Sequence, residues 1–95
     1  MKKHKYRVVR SGRFKRELKR AEKRGLNPDE AEALIIKLSD DIPLDSKYKD
    51  HPLHGIYINH RECHINPDWL LIYRKYEDKL ILFLARTGTH SDLFD

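Results

Sequence analysis

No run of about eighteen apolar residues occurs in the 95-residue chain, so the sequence offers no membrane-spanning helix. Its basic opening, Met1-Lys2-Lys3-His4-Lys5, leads into no apolar stretch, which excludes the pattern of a secretory signal. Cysteine occurs once, at Cys63; it cannot close an internal disulfide and suits a reducing, cytoplasmic setting. A lone thiol among alternating strand residues reads as a small core side chain before it reads as a nucleophile. Repeats, low-complexity tracts and linkers are also lacking. The expectation is one domain, residues 1–95, with a single modest core.

Charge, by contrast, is abundant and lopsided. Residues 1–25 hold twelve Lys/Arg against two Glu, whereas the remainder holds eight Lys/Arg against thirteen Asp/Glu, within a net charge of +5. A basic segment of that density is the footprint expected for a polyanionic partner, although an acidic protein could use it as well.

Tyr6 to Arg10 reads as a short strand with β-branched residues between basic ones. Ser11 can cap a helix to about Arg24 that carries Phe14, Leu18 and Ala21 on one face, with Gly25 closing it. A second helix starts with Asn27 as cap, Pro28 at the first position and Glu30 placed for a capping box. Its residues Ala31, Leu34, Ile35 and Leu38 recur at the spacing of a helix lying on a core, and Pro43 sets its limit. Residues 43–55 read as a surface loop that delivers His51. Three strands follow, Ile56–Ile65, Asp68–Tyr76 and Lys79–Arg86, with a tight hairpin turn at Glu77-Asp78. The plan is α+β: an N-terminal strand and a two-helix hairpin packed on one face of an antiparallel sheet of about four strands.

The residues suited to chemistry gather late in the chain. Four of the six histidines, His51, His54, His60 and His64, fall within fourteen residues, and His90 stands beyond the last strand. Cleaving RNA without a metal needs a base for the 2′-hydroxyl, an acid for the leaving 5′-oxygen and a cation for the charged phosphorus. Imidazole suits the first two roles, with its unperturbed pKa of about 6.5, and the arginine fork suits the third. His51 and His64 each stand near a carboxylate that could orient them, Asp50 and Asp68 respectively. Arg86, His90 and Phe94 form the prospective second wall, with Phe94 placed to stack on a base and Trp69 assigned to the core. Zinc is the competing use of clustered histidines. In a strand, however, His60 and His64 lie about 13 Å apart, and Cys63 and His64 point to opposite faces. No metal and no cofactor is therefore expected.

Three blocks together carry a resemblance: Asp50-His51-Pro52-Leu53, Arg61 through Tyr73, and Arg86-Thr87-Gly88-Thr89-His90-Ser91-Asp92-Leu93-Phe94. In order and spacing they resemble the YafQ-type toxins of the RelE/ParE superfamily, and the helical hairpin before them agrees, so the resemblance covers nearly the whole chain. It implies a RelE-like fold and the toxin half of a type II toxin–antitoxin pair. It also implies a ribosome-dependent endoribonuclease that cuts translated mRNA in the A site. Its partners would be a cognate antitoxin, the ribosome and mRNA, with operator DNA reached only through the antitoxin complex. Carried over, the family's catalytic positions fall on His51, His64, His90, Asp68 and Phe94, with Glu62 at a second acidic position and Arg86 at the phosphate-contacting arginine. Asn59 stands where a glycine is commoner, and asparagine tolerates the left-handed conformation. Lys15, Arg16, Lys19, Arg20, Lys23 and Arg24 are the expected contacts to ribosomal RNA. Two alternatives stay open: a gyrase-targeting toxin of the same superfamily, and a ribosome- or RNA-binding inhibitor without catalysis.

Overall fold

The computed structural model describes residues 4–94. Five strands form one sheet: β1 (Arg7–Arg10), β2 (His51–Pro52), β3 (Arg61–Asn66), β4 (Trp69–Tyr76) and β5 (Ile81–Gly88), in the spatial order β1-β5-β4-β3-β2. The neighbours are antiparallel except β1, which runs parallel to β5 with Arg7 opposite Ile81 and Arg10 opposite Leu84. The sheet is thus mixed, where a wholly antiparallel one was expected. The chain leaves β1 through two helices and re-enters at the far edge as β2, running against β1; three antiparallel steps then bring β5 round to the direction of β1. The extra strand, β2, lies inside the stretch read as a loop; two residues are too short for an alternation pattern to reveal.

Helices α1 (Gly12–Lys23) and α2 (Pro28–Ser39) form where their end signals placed them. Ser11 Oγ accepts from the Phe14 N–H at 2.9 Å and donates to the Ala85 carbonyl, so one hydroxyl caps α1 and ties it to β5. Gly25, with φ +93°, ends α1 in a conformation that costs glycine nothing. At α2 the Asn27 side chain accepts from the Asp29 N–H, and Glu30 makes no reciprocal bond, so the cap is simpler than the expected box.

Alternate residues divide the sheet between two faces. Phe14, Ala21, Ala31, Leu34, Ile35 and Leu38 of the helices pack with Cys63, Ile65, Trp69, Leu71, Tyr73, Leu82 and Leu84. Trp69 is core, as expected, and its indole N–H donates to Thr87 Oγ1 at 2.8 Å. The opposite face carries a smaller apolar set, Leu70, Ile72 and Leu93, with Leu53, Tyr57 and Ala85 against it. The apolar run of β5 is therefore not uniformly buried: Leu82 and Leu84 are, while Ile81, Phe83 and Ala85 are only half-buried.

Two of the expected strand limits move. Residues 55–57 form a short 3-10 turn and β3 begins only at Arg61, because Asn59 takes φ +71° and breaks the extended chain. The hairpin turn spans residues 77–80, wider than Glu77-Asp78 alone, with Leu80 at φ +52°. Beyond β5, α3 (His90–Phe94) is closed by a box the sequence reading missed: Thr89 N–H donates to Asp92 Oδ2 and Asp92 N–H to Thr89 Oγ1. Gly88 makes this turn possible, since a Cβ there would stand 2.9 Å from Asp92 Cβ.

Candidate active site

One transverse row crosses the less covered face of the sheet. His51 of β2 pairs with Glu62 of β3, Glu62 with Ile72 of β4, and Ile72 with Arg86 of β5. The next row on that face runs from His64 through Leu70 to Gly88, where the chain turns toward His90. Strict alternation would have put Arg86 on the helical side with Leu82 and Leu84. A bulge at Ala85 prevents this: Tyr73 lies opposite Leu84 but Ile72 opposite Arg86, and the extra residue flips everything after it. Two clusters of polar groups thus face each other over a floor of Leu70 and Ile72.

The first cluster is His51, Glu62 and His64. Glu62 Oε1 lies 3.4 Å from His51 Nε2 and 3.6 Å from His64 Nε2, so one carboxylate serves two imidazoles. Glu62 is buried, and its Oε2 has no hydrogen-bond partner among the described residues. A buried carboxylate oxygen left bare costs desolvation energy, which a ligand donor at this position relieves. His51 Nδ1 is 2.5 Å from the Lys49 carbonyl; a carbonyl only accepts, so Nδ1 donates there and Nε2 is the nitrogen turned to Glu62. Lys49 offers that carbonyl by adopting φ 50°, ψ 43°. The expected orienters do something else. Asp50 Oδ1 accepts from Tyr73 Oη at 2.6 Å and from Arg61 Nε at 3.1 Å, fastening the loop to the sheet. Asp68 is exposed in the β3–β4 turn and makes no ion pair with His64, because the turn held by Asn66 Oδ1 carries it past the end of the strand.

The second cluster holds Arg86, Tyr57, His90 and Phe94. Arg86 is buried with Glu17 of α1, which accepts from its Nη2 at 2.6 Å and its Nε at 3.2 Å. These bonds hold the guanidinium charged far above its ordinary range, against the opposing effect of burial. Arg86 is therefore not a free fork: only the Nη1 edge remains, and Nη1 donates to Tyr57 Oη at 3.1 Å. Having accepted there, the tyrosine hydroxyl keeps its own proton to donate. Phe94 is 39% exposed, lies 5.0 Å from the His90 ring and meets Tyr57 edge-on at 6.0 Å. The three rings make one aromatic wall at the chain's end.

Two residues here escaped the sequence reading. Glu17 carried a signal: it is the one acidic residue on the apolar stripe of Phe14, Leu18 and Ala21, in a helix whose exposed face is cationic apart from Glu22. Tyr57 carried none, since a 3-10 turn places it. Of the cations expected to face ribosomal RNA, Lys15, Arg16, Lys19, Arg20 and Lys23 are exposed along α1. Arg24 is exposed too, but its Nη1 bonds Asp92 Oδ2 at 2.7 Å, so it anchors α3. That bond, with the Thr89 N–H, keeps the Asp92 carboxyl well below the usual carboxylate range. No group of three or more His, Cys, Asp or Glu among the described residues has the geometry to hold a metal ion.

A family model described as the bacterial toxin of the type II toxin–antitoxin system, YafQ, matches residues 6–95. The mRNA interferase toxin YafQ of Escherichia coli K12 is 42% identical over 85 residues, spanning 88% of this chain and 90% of that protein. The crystal structure of YafQ from E. coli BL21(DE3) superposes with a TM-score of 0.88 at 35% identity, covering 95% of this chain and 99% of that one. The toxin chain of the E. coli DinJ–YafQ toxin–antitoxin complex gives 0.86 at 36% identity, covering 96% and 99%. With the family's sequence pattern over nearly its whole length and the family's fold beneath it, this chain belongs to the YafQ toxins of bacterial type II toxin–antitoxin systems.

Proposed function

We propose that the chain is an mRNA interferase that acts on the ribosome, cutting translated mRNA in the A site by histidine acid–base chemistry. The observation that carries this reading is the pair of clusters on one sheet face, His51–Glu62–His64 across from Arg86–Tyr57–His90–Phe94. From His64 to Gly88 the row crosses two strand spacings, about 10 Å, which admits one phosphodiester between two imidazoles.

His64 or His51 takes the 2′-proton, and Glu62 stabilises the imidazolium that forms, since it borders both Nε2 atoms. The freed 2′-oxygen attacks phosphorus, and His90, beside the arginine cluster, protonates the departing 5′-oxygen. The Arg86 Nη1 edge and the Tyr57 hydroxyl meet the charge that builds on the phosphoryl oxygens. Phe94 stacks on a base, and Asp68 borders the strand end where the RNA passes. Lys15, Arg16, Lys19, Arg20 and Lys23 supply a cationic face for ribosomal RNA phosphates. As in the E. coli complex of YafQ with DinJ, a cognate antitoxin binds this toxin, and operator DNA is reached through that complex. The working compartment is the cytoplasm, where translating ribosomes are.

Primer extension on a translated reporter mRNA after brief induction tests the reading, with the same mRNA free of ribosomes as control. Cuts at in-frame positions that need ribosomes, and that fall about a hundredfold or more in His90→Ala and Glu62→Gln, are the expected result. Growth arrest without cuts would hand the case to a binding inhibitor or a gyrase-targeting toxin.

A further inference from the structure

A groove of about 580 Å³ opens at the β3 edge of the sheet, between α2, the 3-10 turn Ser46–Tyr48 and the residues His64 to Asn66. Its volume lies within the range of small-ligand sites and is ample for a nucleoside. One lining residue, His64, belongs to the catalytic cluster; a second, Lys49, holds His51 by its carbonyl. The groove therefore adjoins the site across the β3 edge, with α2 and Ile65 on its far side. We propose that it seats the base of the mRNA nucleotide adjoining the scissile phosphate, and that it contributes the enzyme's sequence preference. This rests on the endoribonuclease reading above.

The lining has the chemistry of a single-strand nucleotide subsite. Tyr48 supplies a half-buried aromatic surface, and Lys47 Nζ stands 5.1 Å from its ring centroid, placing a phosphate-binding charge beside a stacking face. Lys37 and Lys49 bring two further cations, against the single carboxylate of Glu30. Asn66 Oδ1 accepts from the Asp68 N–H at 2.9 Å, which commits the oxygen and leaves the amide nitrogen as the donor for a base acceptor. Sequence reading saw only a loop here, because these residues converge from three elements with no shared period. An antitoxin segment is the other conceivable occupant. The shared His64 and the excess of lysine favour RNA, because a strand whose phosphate lies at His64 has this groove within reach of its next base.

The test compares wild type with Tyr48→Leu and with the surface variant Lys37→Gln/Lys47→Gln, none of which alters the catalytic clusters. Each is assayed on ribosomes carrying mRNA randomised around the A-site codon, and each is titrated with the cognate antitoxin. A KM raised about tenfold or more, kcat little changed, and a flattened preference at one flanking nucleotide support the subsite. Variants that match wild type in KM and preference overturn it while leaving the RNase reading intact, as does weakened antitoxin binding with unaltered cleavage. Wild-type protein that cuts no ribosome-bound mRNA overturns the RNase reading and the subsite with it.

Discussion

Glu17→Gln removes one charge and almost no volume, and it strikes the pair that holds Arg86. Glu17 Oε2 meets Nη2 at 2.6 Å and Nε at 3.2 Å, while Oε1 accepts from the Thr87 N–H at 3.3 Å. The two side chains are only 9% and 11% exposed, so water cannot replace the lost carboxylate. Leaving one member of such a pair uncompensated costs about 3–5 kcal/mol. Domains of this length hold about 5–15 kcal/mol in all, so the loss is a large fraction of the whole. It corresponds to a fall in Tm of about 12 °C or more. Urea unfolding followed by the fluorescence of the single, buried Trp69 reads it directly. Arg86→Met alone should cost as much, because it strands the carboxylate instead. The charge-free double variant Glu17→Leu/Arg86→Met should regain most of the loss, since an apolar pair of similar volume suits the site. A Glu17→Gln protein within about 0.5 kcal/mol of wild type, or a double variant showing the sum of the two single losses, would refute the reasoning. The first result is what a solvated surface pair gives; the second would mean that the two side chains do not interact.

Thr87→Val strands the buried indole N–H of Trp69 and should cost about 1–3 kcal/mol, read by the same urea curves, with ribosomal cleavage unchanged at permissive temperature. Cys63 is buried, and desolvation with the nearby Asp50 and Glu62 pushes its thiol up to about 12, so Ellman's reagent should label it only as fast as the chain opens. The Asp41 carboxyl is held down at about 2 by Lys5 and Lys75. A group whose folded pKa is depressed stabilises fully above its unfolded value and loses that contribution as the pH falls. The loss here runs from about pH 4 to pH 2. Asp41→Asn should shrink that acid limb by at most about 1 kcal/mol, since the pairs are exposed, in urea titrations between about pH 6 and pH 2.

Much of the scaffold was legible because its signals are local. Ser11, Asn27, Pro28 and Gly25 act within one turn of their own positions, and the spacing of Ala31, Leu34, Ile35 and Leu38 needs only a helix to make sense. The histidines of interest were legible by residue type, and the three sequence blocks fixed which of them to follow. Their partners were not. Asp50 and Asp68 face other groups, while Glu62 reaches His64 along its own strand and His51 because β2 pairs with β3 in one particular register. That register is a long-range fact, set by two residues of strand. The engagement of Arg86 by Glu17, sixty-nine positions earlier, is of the same kind.

The extra residue at Ala85 marks the one place in β5 where the gene can lose a codon without changing which side chains face the RNA. Loss of that codon, in frame, would leave Leu84 opposite Tyr73 and set Arg86 next to it, still opposite Ile72, in an uninterrupted ladder. The guanidinium would keep its face, and Thr87 would stay on the side of Trp69. Any other residue of the strand, once deleted, would move its successors to the wrong side of the sheet. Length variation in this lineage therefore has a tolerated address, and it adjoins the arginine.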